Sequence, residues 1–153
     1  MIKLLLTLFI LIVATNSFAQ TERPVILIAY HSLTGNTEKM AQAVADGAQK
    51  SKKVEVRLKN IKQITKEDLL QAKAIIVGSP VYNANITPVV QRFINSWPFK
   101  DKSMSNKIGA AFVTAGGISA GEEVAQLSIL KSMLIYGMII VGGMILDKWG
   151  IRR

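Results

Sequence analysis

Between residues 32 and 37 the chain sets three hydroxyls, Ser32, Thr34 and Thr37, around Gly35, with Leu33 and Asn36 between them and no cation before Lys39. Each hydroxyl can donate a hydrogen bond and the glycine permits a tight turn, which suits one terminal phosphate monoester. Neither the G-x-G-x-x-G fingerprint of dinucleotide folds nor the G-x-x-x-x-G-K-[ST] of P-loops is present, so no lysine is placed on the anion. The same hydroxyls could instead cap their own helix, and the loop alone leaves both readings open. Other chemistries are narrower. His31 is the single histidine and cysteine is absent. A His-rich or thiolate metal site is thereby excluded, and a Ser/His relay would have to use His31, which reads as a structural residue at a strand tip.

The elements that must hold this loop follow from the pattern around it. Val25 to Tyr30 is apolar without alternation, as expected of a strand in a parallel sheet covered on both faces. After the loop, Met40, Ala41, Val44, Ala45 and Ala48 fall on one helical stripe. Val54, Val56 and Leu58 alternate with Glu55 and Arg57, predicting an edge strand. Thr65 and Asp68 form a capping box before a short helical piece at 69–72. Residues 74–77 read as a second central strand, followed by a loop at 79–85 that carries Tyr82, Asn83 and Asn85. Thr87 and Pro88 then supply an N-cap and first helical residue. Residues 107–113 read as a strand, 114–121 as a glycine-rich loop, and Glu122 opens a helix reaching Tyr136. Gly137 stops it, and 138–142 is a fifth strand.

The ends of the chain and its charge bear on location and partners. Residues 1–19 have a basic start, an apolar core at 4–14 and Ser17-Phe18-Ala19 at a cleavage position, the pattern of a secretory signal peptide. Export, to a periplasm, is the expectation, and residues 20–153 form one domain of about 134 residues. Without Lys3 the count is 18 basic against 10 acidic residues. The lysines lack interleaved aromatics, so a solvated surface is expected over 50–73 and 100–107 and no nucleic-acid partner. The apolar stretch 133–146 is too short to span a bilayer and is punctuated by Gly137, Gly142 and Gly143.

Taken together, the T-G-N-T loop, the segment G-S-P-V-Y-N-A-N-I-T-P-V-V-Q-R-F-I and the order strand, T-A-G-G-I-S-A-G, Glu122, Tyr136, Gly137 resemble the flavodoxin superfamily. Within it they are similar to the NAD(P)H:quinone oxidoreductases known as the tryptophan-repressor-binding-protein family. The resemblance covers residues 25–143. It implies an α/β, doubly wound, five-stranded parallel sheet of order 2-1-3-4-5 that binds FMN. It further implies phosphate contacts from Ser32, Leu33, Thr34, Gly35, Asn36 and Thr37. Isoalloxazine contacts are implied from Val81, Tyr82 and Asn83 and from Thr114, Ala115, Gly116, Gly117, Ile118 and Ser119. Tyr136 stands where the family places a histidine near a neighbouring subunit's flavin, and Thr34 lies near the nicotinamide approach.

The chain departs from that family in four places. Ala84 replaces a glycine, Tyr136 a histidine, and Trp97 is an offset candidate for the family's tryptophan, or a core residue at a helix end. The family's last helix has no counterpart after the fifth strand, so parts of the strands at 25–30 and 74–77 are expected to lie bare and to invite self-association. The resemblance implies hydride transfer from NAD(P)H through FMN to a quinone, in a homo-oligomer. Export instead favours a flavodoxin-like electron carrier, or flavin module without its own NAD(P)H site, served by a membrane redox partner that meets the basic surface. A domain that binds no flavin is the third reading.

Overall fold

The computed structural model describes residues 22–142. The expected signal peptide and the residues after 142 lie outside that range. Six strands and four α-helices follow in the order β1 (Val25–Tyr30), α1 (Asn36–Gln49), β2 (Glu55–Asn60), α2 (Lys66–Gln71), β3 (Ala72–Tyr82), β4 (Asn85–Ile86), α3 (Pro88–Asn95), β5 (Ile108–Thr114), α4 (Glu122–Ile135) and β6 (Ile139–Ile140). A short 3-10 turn, Ile61–Gln63, precedes α2, and a second, Lys100–Lys102, follows α3. The main sheet is parallel with order β2-β1-β3-β5-β6. With the two-residue β4 set aside, this is the expected 2-1-3-4-5 order.

Each central strand is apolar on both sides because helices cover both. Leu27, Ala29, Ile75 and Val77 face one cluster with Val90, Ile94, Ala125, Ile129 and Met133 from α3 and α4. Ile28 and Tyr30 face the other with Ala41 and Ala45 of α1 and with Phe112. Gly78 makes this second face close tightly: a Cβ there would lie 2.2 Å from the Phe112 ring, which occupies the missing side chain's space. The alternating strand β2 is indeed at the edge, and the Thr65–Asp68 capping box is formed in full.

Four sequence expectations change. First, strand three does not stop at 77 but runs to Tyr82 and turns back into β4, pairing Val81 with Ile86 and Tyr82 with Asn85. The expected seven-residue loop is therefore a hairpin. Asn83 (φ 50°) and Ala84 (φ 61°) form its two-residue turn, both left-handed as such a turn requires. Second, Lys107 is not on the solvated surface. It is buried and its ammonium donates to the Leu70 carbonyl at 2.8 Å and the Ala72 carbonyl at 2.5 Å, satisfying the end of α2. Third, the helical piece is 66–71 rather than 69–72, and the fifth strand shrinks to Ile139–Ile140. Fourth, the bare apolar surface lies mostly elsewhere. Ile28 and Tyr30 of β1 are buried because α1 and Phe112 reach across them, and Ile26 and Ile76 on the same face are half-buried, whereas Ile108, Ile139 and Val141 at the β5–β6 side stay exposed. On the opposite layer, α4 also turns Val124, Leu127, Leu134 and Ile135 to solvent.

Candidate functional site

The carboxyl ends of β1, β3 and β5 bring three loops to one place. Thr37, at the first turn of α1, is buried, and its hydroxyl lies 2.7 Å from the Thr114 hydroxyl at the end of β5. Between these loops is a crevice of about 260 Å³. The first loop contributes Leu33, Thr34, Asn36 and Thr37, the hairpin contributes Pro80, Val81 and Tyr82, and the third loop contributes Thr114, Ala115 and Gly116. An α/β sheet that reverses its strand order opens such a crevice outside its strand ends, at the switch point between β1 and β3.

The local geometry of the first loop speaks against self-capping by its hydroxyls. The N-cap of α1 is Gly35, left-handed at φ 88°, and no side chain caps the helix. Ser32 Oγ instead accepts the Gly35 N–H at 3.1 Å and so holds the turn itself. Self-capping is therefore not what the hydroxyls do. The first-turn N–H groups and the positive end of the α1 dipole face the crevice without an internal acceptor side chain, an arrangement that attracts an anion. Glu38 is the one acid in that turn. Its carboxylate takes a 2.6 Å hydrogen bond from the Tyr30 hydroxyl. That bond, with burial and the Glu38 charge, raises the Tyr30 pKa and keeps the phenol protonated.

Beneath the crevice a buried polar chain ties the first two loops together. His31 Nδ1 and Thr87 Oγ1 share a 3.0 Å hydrogen bond, and the His31 N–H donates to the Gly78 carbonyl. Thr87 caps α3, and its own N–H donates to Ser79 Oγ. Ser79 in turn donates to the Pro80 carbonyl. Burial, with the Lys62 charge adding to it, holds His31 below the ordinary imidazole value, so the ring is neutral at pH 7. The structural role expected for His31 is the one found.

The third loop is braced separately. Gly121, the left-handed N-cap of α4 at φ 91°, touches the hairpin: a Cβ added there would lie 2.4 Å from the Ala84 Cβ. Glu122 Oε1 accepts the Ser119 N–H at 2.9 Å while Ser119 sits at φ 56°. Backbone N–H donors, its own first and then those of Ser119 and Ala120, keep Glu122 below the usual carboxylate range despite desolvation. Sequence reasoning named neither Pro80 nor these supports among the site residues. The N-cap signal at Thr87 and the acid after the loop were visible, but their second partners come from other elements.

Not every expected residue reaches the crevice. Ser32 and Gly35 shape the turn, Asn83 sits in the hairpin turn, and Gly117, Ile118 and Ser119 lie further along the third loop, with Ile118 98% exposed. Tyr136 is elsewhere. Its hydroxyl donates to the Ile94 carbonyl at 2.9 Å and its ring packs on Trp97 and Phe99 at centroid distances of 5.4 and 5.5 Å. The reason is topological, since Tyr136 follows α4 at the amino-terminal end of the sheet, opposite the strand ends that carry the loops. Trp97 is the buried core residue of the two alternatives. Among the described residues no cluster of three His, Cys, Asp or Glu could hold a metal, and no helix is long and apolar enough to cross a membrane.

The profile of the NADPH-dependent FMN reductase family matches residues 23–149. The chain belongs to that family. It is 35% identical over 118 residues to a flavodoxin of Clostridium saccharobutylicum, covering 77% of this chain and 72% of that protein. It is 31% identical over 143 residues to an NAD(P)H dehydrogenase (quinone) of Archaeoglobus fulgidus, covering 76% and 75%. Among solved structures, a flavodoxin from the domain Archaea superposes with a TM-score of 0.68 at 29% identity, covering 78% and 79%. The fold is accordingly flavodoxin-like.

Proposed function

We propose that the crevice binds FMN and that the protein is an FMN-dependent oxidoreductase of the NAD(P)H:quinone type. The observation that carries the reading is the uncapped amino end of α1, framed by hydroxyls and converging with two other loops. In this reading Thr34, Asn36, Thr37 and the first-turn N–H groups hold the phosphate, and no lysine is needed because the helix end and hydroxyls supply the donors. Pro80, Val81, Tyr82, Ala115 and Gly116 offer an apolar and backbone surface to a planar ring, in keeping with the chemistry of an isoalloxazine. Bound FMN would supply hydride acceptance from NAD(P)H and two-electron delivery to a quinone, leaving the protein to bind, orient and exclude water.

Leu33 (68% exposed) and Tyr82 (42%) rim the crevice and leave an apolar approach for a quinone. The exposed stripe Val124, Leu127, Leu134 and Ile135 supports a homo-oligomer. A second reading, a flavodoxin-like electron carrier without its own NAD(P)H site, is supported by the 35% identical relative named flavodoxin.

Two measurements test this. Thr34→Ala and Thr37→Ala should each weaken FMN binding by about 1.5–3 kcal/mol, the range for a hydrogen bond to a charged group, and leave riboflavin binding nearly unchanged. Equal losses for both flavins would show that the loop does not hold a phosphate. Steady-state oxidation of NADH or NADPH with a benzoquinone then separates the enzyme, which turns over, from the carrier, which does not.

A further inference from the structure

A larger cavity, of about 760 Å³, lies away from the three loops, between the 61–63 turn with α2 on one side and α3 with the following segment on the other. Its floor and walls are apolar, formed by Ile64, Leu69, Leu70, Val89, Phe93 and Phe99. Phe99 is 66% exposed and Leu70 39%, so large apolar groups at its edges stand in water.

The charged groups around this groove are, but for one, of one sign. Lys62 and Lys66 stand on one wall and Arg92 and Lys100 on the other, against a single acid, Asp101. None of the four cations takes part in the ion pairs found among the described residues, which involve Arg57 and Lys59 with Glu55 and Asp68. The hydroxyls of the lining are already used: Thr65 caps α2, Ser96 donates to the Phe93 carbonyl, and Ser103 donates to the carbonyls of Pro98 and Lys100. What is left for a visitor is an apolar trough with positive charge along both rims.

We propose that this groove docks an acidic amphipathic helix of a partner protein, its apolar stripe on Leu70, Val89, Phe93 and Phe99 and its flanking carboxylates on the two cation pairs. Charge on both rims selects this occupant. A single headgroup would be met by one cluster, whereas a helix whose apolar seam is flanked on each side by acids meets both walls at once. Residues 1–21, whose one charge is Lys3, and residues 143–153, with three basic residues against Asp147, do not complement the rims. A second copy's exposed α4 stripe fits the rims poorly, because its acids, Glu122 and Glu123, stand together in the first turn and Lys131 follows further along. This docking does not depend on the flavin reading.

The test uses the full chain and two synthetic helical peptides of about 18 residues, five turns, with the same leucine stripe flanked by glutamates in one and by lysines in the other. Fluorescence anisotropy should show the glutamate peptide binding at least about tenfold more tightly, and less so in high salt. The double variant Lys66→Glu/Arg92→Glu should reverse the order of the two peptides while its thermal melt and FMN binding stay those of the parent. Equal binding of both peptides, or an unchanged order in the variant, overturns the proposal. So does occupation of the groove by dodecanoate, or by anionic phosphatidylglycerol vesicles, when the glutamate peptide fails to bind.

Discussion

Two glycines with nearly the same backbone allow a steric contact at the site to be weighed on its own. Gly35 and Gly121 are the N-caps of α1 and α4, both left-handed, at φ 88° and 91°. An alanine at either pays the left-handed strain of about 1–2 kcal/mol, and both substitutions restrict the unfolded chain equally. Their surroundings differ. Nothing lies within 4 Å of a Cβ built at Gly35, whereas at Gly121 the Ala84 Cβ is 2.4 Å away and the Ala84 Cα 2.5 Å. The obstacle is partly backbone, so no side-chain rotation relieves it, and either the hairpin turn or the third loop must move. Overpacking of that kind costs about 1–3 kcal/mol. For a domain of this size Tm shifts by about 4 °C per kcal/mol, so flavin-free Gly121→Ala should melt about 4–12 °C below flavin-free Gly35→Ala. Differential scanning calorimetry of the two variants measures this difference. Because both displaced segments flank the crevice, Gly121→Ala should also lower flavin occupancy. Melting temperatures within about 2 °C of each other would refute the reasoning that Ala84 and Gly121 are locked in contact.

Two further predictions concern pH. Burial pushes the Asp68 pKa up, but hydrogen bonds from Lys59 and from the Thr65 backbone and hydroxyl outweigh it and the net shift is downward. Asp68 therefore stabilises the fold above its unfolded value of about 3.9, and this is lost as pH falls through the lower folded value. Asp68→Asn should be less stable than the parent at pH 7 and lose less stability in acid, as read by urea titrations at a series of pH values. Lys107 is shifted downward by burial and by the nearby Lys73 charge, so its charged form is penalised in the fold. Between that lowered value and about 10.4 the unfolded chain binds more protons, and stability contributed by this site rises with pH. The parent minus Lys107→Met difference in unfolding free energy should rise over that window; a flat difference would contradict the burial of its ammonium.

Periodicity and punctuation made the sheet, its helices and the three loops legible in the sequence. The short apolar run at Val25–Tyr30, closed by turn residues, read as a covered strand, and Thr87 and Gly137 marked helix ends, one by its capping hydroxyl and the other by its tolerance of a left-handed backbone. Illegible were the features that depend on two distant elements. Nothing in Asn83 and Ala84 themselves announced a two-residue turn, because alanine is a poor left-handed residue. The turn is instead held by pairing across Val81–Ile86 and by contact with Gly121. Lys107 looked like one more surface lysine until the carbonyls of Leu70 and Ala72 were beside it. Tyr136 was assigned by position in a resemblance, although the order strand, helix, Tyr136, strand already sets it at the amino-terminal end of a parallel sheet, away from this chain's own crevice.

The closing of Phe112 over Gly78 has a consequence for inheritance. The aromatic ring fills volume that belongs to another strand, so the two positions behave as one locus although they are far apart in the chain. A side chain cannot be gained at 78 unless the ring at 112 shrinks in the same lineage. The intermediate with both groups is overfilled, and the one with neither is hollow. Drift across this pair therefore passes through a fitness valley, and the glycine records a neighbour's bulk as much as any need of its own backbone.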